Sequence, residues 1–213
     1  MVADSPSSVR LVGEVDSTKR RQIIDGARKV FLDLGFDGAS MGEIARAAGV
    51  SKGTLYVYFA DKNRLFEAIV EEETIEQSKV AFNFDAGRDV ATTLRDFGQA
   101  YIQLLCRPGG GSAIRTVMAI AERMPDVGRR YYERVLENTI NRLAAYLDAR
   151  VNVGEMRIDD CHLAASQFML MCQASLFLPF IFQAAPPPSP ERVKVVIDSA
   201  TRLFLAAYQV EAG

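Results

Sequence analysis

A chain of 213 residues fits one large domain or two small ones, and a fold of that size buries about 70% of its unfolded surface without help from disulfides or metals. Its three cysteines, Cys106, Cys161 and Cys172, are odd in number and lie in apolar contexts, the pattern of reduced core thiols in a cytoplasmic protein rather than a disulfide framework. The net charge of −2 selects no partner, but nine Lys/Arg against five Asp/Glu fall between Ser17 and Phe66. That makes a basic head on an acidic body and points to an anionic partner at one end.

The opening "MVADSPSSVRLVGEVD" has no basic segment followed by an apolar run, so no secretory signal is expected in it and it reads as a disordered arm over residues 1–16. Ile23, Ile24, Ala27, Val30, Phe31 and Leu34 then recur at the three-and-four spacing of one helix face. Gly35 stops that helix and Asp37-Gly38 makes a turn. "SMGE" sets Ser40 three residues before Glu43, the capping-box pattern, and starts a short helix over about 41–47. Gly49 breaks it, and Ser51 caps a third helix over about 52–59. Asp61 caps a fourth, which runs through Leu65, Phe66, Ile69 and Val70 into Glu71–Glu73, read as solvated surface acids.

Helical spacing continues over about 88–106, 112–123, 126–150, 159–184 and 190–210, separated by "RPGGGS", "MPD", "NVGE" and "APPPSP". The glycine run reads as a flexible connection, and it lacks the G-K-[ST] of a phosphate-binding loop. No stretch alternates at period 2 for long, so the fold class is all-α. With one histidine and no spaced set of nucleophile, base and orienting group, the chain shows no catalytic signature. His162 beside Cys161 does not make a metal site, since neighbours on a helix diverge and no further Cys/His ligand is near, and no cofactor is implied. Asp159-Asp160 are helix-start acids.

The short third helix is the informative one. In "AAGVSKGTLYVYFADK", Leu55 and Phe59 are four apart and face inward, while the remaining residues suit a helix lying on DNA. Two short helices joined by a glycine turn, behind a longer support helix, make a helix-turn-helix unit. Ser51 and the helix start face a phosphate. Lys52 adds charge or reaches a guanine acceptor, Gly53 removes a side chain where the backbones close, and Thr54 offers a hydroxyl or a methyl to a base. Tyr56 and Tyr58 donate to phosphates, and Lys62 neutralises another. The competing reading is a three-helix packing unit whose polar surface is incidental.

The run "FLDLGFDGASMGEIARAAGVSKGTLYVYFADKNRLFEAIV" closely resembles the N-terminal domain of the TetR (tetracycline-repressor-like) family of transcriptional regulators, densely over residues 17–75. The resemblance implies a helix-turn-helix domain over 17–77 and a ligand-binding and dimerisation domain over 78–213. It further implies a homodimer, a small-molecule effector and a double-stranded operator. At family positions matching Ser40, Ser51, Lys52, Gly53, Thr54, Tyr56, Tyr58 and Lys62 it implies operator contacts, mostly to phosphates. Val57 departs from the pattern, because relatives often carry a histidine or tyrosine there. A contact is lost at that position, or a thymine methyl is touched.

Leu163 to Ala185 runs 23 residues without a charge, long enough for a bilayer. Gln167, Gln173, Gln183, Ser166, Ser175 and Pro179 interrupt it and no Lys/Arg cluster flanks it, so it reads as a buried helix and no membrane is implied. In the last helix Val193, Val196, Ile197, Ala200, Leu203, Phe204 and Ala207 form a broad apolar seam, which the resemblance assigns to a four-helix dimer interface. A two-fold dimer sets its recognition helices about 34–36 Å apart or further, and so reads a pseudo-palindrome. Phe97, Tyr101, Met118, Met169, Cys172 and Phe177 are candidates for a pocket that takes a largely apolar ligand, with plain core as the alternative. Two functions therefore stand: an operator-binding repressor released by a small molecule, and a helical ligand-binding or interaction module that does not bind DNA.

Overall fold

The computed structural model describes residues 7–79, 84–85, 87–107, 110–122 and 124–210, and among these the elements are helices joined by short turns. Helix α1 (Ser7–Gly38) turns Ile23, Ile24, Ala27, Val30 and Phe31 inward, as their spacing requires. It is helical from Ser7, through most of the arm expected to be disordered; residues 1–6 lie outside the described residues. The stretch between Pro6 and Gly35 contains no proline, and once residues 17–34 are helical, extending the helix backward needs no new nucleus. Leu34, expected inside, is 49% exposed. Gly35 at φ 69°, ψ 171° kinks the chain there, and Phe36 closes the core in its place.

Helices α2 (Met41–Ala47) and α3 (Lys52–Tyr58) follow, then α4 (Lys62–Lys79), which crosses the boundary expected at residue 77. The turn between α2 and α3 depends on two glycines. Gly49 has φ 64°, a left-handed conformation that favours glycine. A Cβ at Gly26 of α1 would sit 2.7 Å from the Cα, Cβ and N of Ala48, so only glycine lets α1 touch the end of α2. Gln22 reinforces that contact by donating from Nε2 to the Ala48 carbonyl at 2.6 Å.

The body comprises α5 (Val90–Leu105), α6 (Gly110–Ile120), α7 (Pro125–Tyr131), a π-helical segment (Tyr132–Glu137), α8 (Asn138–Asn152), α9 (Cys161–Gln173), α10 (Phe177–Ile181) and α11 (Pro190–Tyr208). The glycine run is not a free connection: residues 108–109 lie outside the described residues, and Gly110 and Gly111 are the first turn of α6. A Cβ at Gly111 would come within 3.1 Å of Phe180 and Ile181, so the missing side chain brings α6 against α10. The helix expected over 159–184 divides into α9 and α10. Ser175 takes φ 55° between them, and Pro179, with no amide hydrogen, cannot carry the α9 ladder across the break. No helix among the described residues is long and apolar enough to cross a membrane. The three cysteines are free and buried, and burial pushes the Cys106 thiol up to about 11.

Two cores result. One fills the body with Leu94, Phe97, Ile102, Leu143, Phe168 and Phe204 among others. The second is built on Ile23, Ile44, Leu55, Phe66 and Ile69 of the first four helices, and it continues without a gap through Val117 and Ile120 of α6 into Val127 and Tyr131 of α7. The head therefore has no core separate from α6 and α7.

This packing revises the expected dimer seam. Val193, Ile197, Ala200 and Phe204 are all buried within the protomer, where α11 lies on α5 and α9. Only Val196, Leu203 and Ala207 of that set lie toward the surface. A seam as broad as this one has two sides, and the inner side is consumed first because α5 and α9 belong to the same chain.

Candidate nucleic-acid interface

The head presents its second and third helices through side-chain caps. Ser40 Oγ accepts from the Glu43 amide at 3.2 Å, while the Glu43 carboxylate accepts from the Ser40 amide at 2.9 Å and its hydroxyl at 2.7 Å. Those hydrogen bonds from Ser40 hold the Glu43 carboxyl below its ordinary range. Ser51 Oγ accepts from the Thr54 amide at 3.0 Å and lies 2.8 Å from the Thr54 hydroxyl. Both serines are exposed, yet their first task is to start a helix.

On α3 the inner and outer faces differ sharply. Leu55 is fully buried, while Tyr56 and Val57 are 53% and 82% exposed. Lys52 and Gly53 are exposed beside them, and Tyr58 is half-buried against the head core. Gly53 is the telling residue, because a Cβ built on it would meet nothing closer than Ser51 Oγ at 3.8 Å. Packing inside the protein does not call for glycine there. Lys52 lies across Gly42 of α2, where a Cβ would come within 2.9 Å of its Cε.

Lys62 is placed differently from the other sites. Its Nζ donates to the carbonyl of Phe36 at 2.9 Å and lies 3.4 Å from the carbonyls of Asp37 and Ala39, with the Phe36 ring 4.7 Å below. The ammonium ties down the segment that leads into Ser40. Four residues that composition alone did not single out also shape this face: Gln22 on the Ala48 carbonyl, and Arg21, Lys29 and Arg46 around a shallow groove between α1 and α2. Arg21, Asp25 and Lys29 are spaced by four, so helical periodicity places them on one side.

Two ion-pair groups join the head to its support. Glu67 of α4 accepts from Arg64 and, across to α7, from Arg130, each at 2.9 Å. Partial burial pushes its carboxyl up, but the two guanidiniums outweigh that and hold it below the ordinary 4.5. Glu72, expected as a solvated acid, is half-buried between Arg20 and Arg28 of α1 at 3.5 Å each, and here burial wins and raises its carboxyl.

The pocket candidates do not line an open space together. Phe97, Tyr101, Met169 and Cys172 are buried in the body core, Phe177 packs against it, and Met118 is 69% exposed on the outer side of α6. Phe97 stacks on Tyr101 at 5.9 Å, Gln173 donates to the Tyr101 hydroxyl at 2.6 Å, and a Cβ at Gly98 would reach 3.0 Å from Ile197. These residues fill the volume they were expected to enclose. His162 Nε2 lies 2.8 Å from Glu137 Oε1, linking α9 to the end of the π-helical segment.

Comparison with known proteins agrees with this geometry. Residues 23–69 match the model of the bacterial regulatory proteins of the tetR family, and residues 92–210 match the AefR-like transcriptional repressor C-terminal domain. The HTH-type transcriptional repressor Rv1474c of Mycobacterium tuberculosis is 28% identical over 85% of this chain and 90% of its own. A crystal structure of a TetR-family transcriptional regulator from Mesorhizobium loti superposes with a TM-score of 0.77 at 29% identity, covering 91% of this chain and 98% of that one. The flavonoid-responsive regulator FrrA superposes at 0.73 with 31% identity over 92% of this chain and all of its own. The chain belongs to the TetR family of DNA-binding transcriptional regulators.

Proposed function

We propose that the protein is a homodimeric repressor that holds a pseudo-palindromic operator and lets go when a small aromatic or otherwise apolar effector binds. The observation that carries the DNA side is the outer face of α3: a glycine with no internal reason to be glycine, flanked by an exposed lysine, tyrosine and valine. Such a gap lets the helix approach a duplex closely. Ser51, Lys52, Thr54, Tyr56 and Tyr58 are assigned to phosphates and base edges, with Val57 against a thymine methyl. Ser40 and Lys62 act one step back: Lys62 secures residues 36–39, and Ser40 sets the first turn of α2.

For the dimer, the exposed side of α9 and α11 offers Leu163, Leu170 and Leu203, each more than half exposed, with Val196 and Ala207 alongside. Two copies laid face to face bury that stripe in a four-helix arrangement. Leu203→Glu is expected to halve the mass seen in sedimentation while leaving protomer helicity unchanged, because the side chain has little to lose inside its own chain. The flavonoid responsiveness carried in the name of FrrA supports an aromatic effector here. The continuity of the head core with α6 and α7 supports a route by which such a ligand changes head spacing.

A salt titration of duplex retardation tests the operator reading. Phosphate-contacting binding weakens linearly in log–log form with added salt. A protein that fails to retard any genomic duplex at low salt is a helical binding module instead.

A further inference from the structure

Head and body meet around a cavity of about 600 Å³ that the operator-facing surface does not use. Its head wall is Phe31 and Phe36, stacked 5.4 Å apart with the Phe66 ring edge-on to both. Its body wall is Arg115 and Ala119 of α6, and its mouth is Phe182 and Gln183, just beyond α10. The volume suits a molecule of one or two rings.

Two features of this cavity have no explanation in the packing. Arg115 is half-buried and donates only to the Ile181 carbonyl, at 3.3 Å; among the described residues no carboxylate pairs with it. Phe182 is 76% exposed, and Leu32 on the opposite rim is 41% exposed. Gln183, at φ 58°, is the left-handed residue that ends α10 just beyond its cap, Phe182. Its amide on Phe180 O at 3.0 Å and the Ala184 amide on Pro179 O at 2.8 Å are the two hydrogen bonds of a Schellman helix end, which fixes the backbone at the mouth. A guanidinium with no carboxylate partner and one exposed aromatic ring share this opening.

We propose that this junction cavity is the effector site and that it takes a small aromatic monocarboxylate. The carboxylate pairs with the planar fork of Arg115, which matches it in two parallel hydrogen bonds. The ring lies among Phe31, Phe36 and Phe182, whose faces and edges favour an aromatic guest. Asp33, also on the rim, repels negative charge on the ligand, so the one carboxylate is placed at Arg115 and the rest of the guest is neutral. The regulatory consequence rests on the operator-binding reading, but occupancy of the site does not. A ligand that presses on Phe36 presses on the residue whose ring and carbonyl hold Lys62, and so on the segment that feeds Ser40 and α2.

The chain contains no tryptophan, so Phe182→Trp places a single indole at the mouth. That full-length variant is titrated with 4-iodobenzoate, a heavy-atom quencher, and in parallel with the neutral 4-iodobenzamide. Saturable quenching by the carboxylate and merely linear collisional quenching by the amide are expected. Adding Arg115→Gln shifts the half-saturation concentration at least tenfold. Adding Ala119→Phe, an exposed position that perturbs no core, abolishes saturation by filling the cavity. Linear quenching by both compounds, or a half-saturation indifferent to both added substitutions, overturns the site. Failure of the parent protein to retard DNA strikes the operator reading instead and leaves the quench titration where it was.

Discussion

The head and the body bury their apolar residues by different means. In the head, α2 and α3 have seven residues each and bury only Ile44, Ala45 and Leu55 between them. They are held by caps, by the Gly26–Ala48 contact and by the longer helices α1 and α4 behind them. In the body, longer helices use whole faces, and aromatic rings run in contact from Phe97 to Phe168, Phe204 and Tyr208 at spacings of 6.3, 5.1 and 4.9 Å. The contrast explains where each region has chemistry to spare. A one-sided short helix leaves its other face free for a partner, whereas a helix buried on several sides has spent its residues on stability.

The largest expected effect tests the body side of that contrast. Phe97→Ala removes a ring that is 2% exposed and should cost about 4 kcal/mol, seen as a lowered urea midpoint. A loss below about 1 kcal/mol would restore Phe97 to a ligand pocket rather than a filled core.

Two glycines sharpen the head side. Gly26→Val drives methyl groups into Ala48, where even a Cβ has only 2.7 Å, and should cost about 3 kcal/mol in thermal unfolding. Gly53→Ala meets nothing inside, so stability should hold or rise by about 0.5 kcal/mol. Duplex affinity should nevertheless fall about tenfold in a retardation assay, which is about 1.4 kcal/mol. Unchanged retardation by that variant would remove the close approach of α3 to DNA.

The smallest effect concerns the link between the regions. Glu67→Gln loosens the pair with Arg130 and should cost about 0.5 kcal/mol near neutral pH. Because the folded-state carboxyl lies below its ordinary 4.5, its contribution is full above that value and is lost as pH falls through the lowered one. The melting curves of the parent and the variant should therefore converge in acid.

The two short helices of the head, α2 and α3, were legible to within a residue because their signals are local, whereas the start of α1 at Ser7 was not. Ser40, Glu43, Gly49 and Ser51 act through bonds to neighbours three residues away, and those distances are set by the helix itself. The place of Lys62 was not legible: its ammonium reaches carbonyls more than twenty positions back, and nothing in "ADKN" says so. The body was legible as helices but not as faces. Leu203 and Phe204 are adjacent on the same apolar seam, yet one is 61% exposed and the other 1%. Met118, by composition a pocket residue, is on the surface. Glu72, by composition a solvated acid, sits between two arginines.

By itself the sequence determined an all-α chain, the caps and turns of its head, and a short helix whose outer residues suit a duplex. Periodicity and capping act over one or two helical turns, within reach of any local reading. Only the tertiary structure decided which side of α11 is core, that the head shares its interior with α6 and α7, and that Phe36, Arg115 and Phe182 surround one cavity. Those outcomes depend on which helices compete for the same apolar surface, and that competition is settled between residues far apart in the chain.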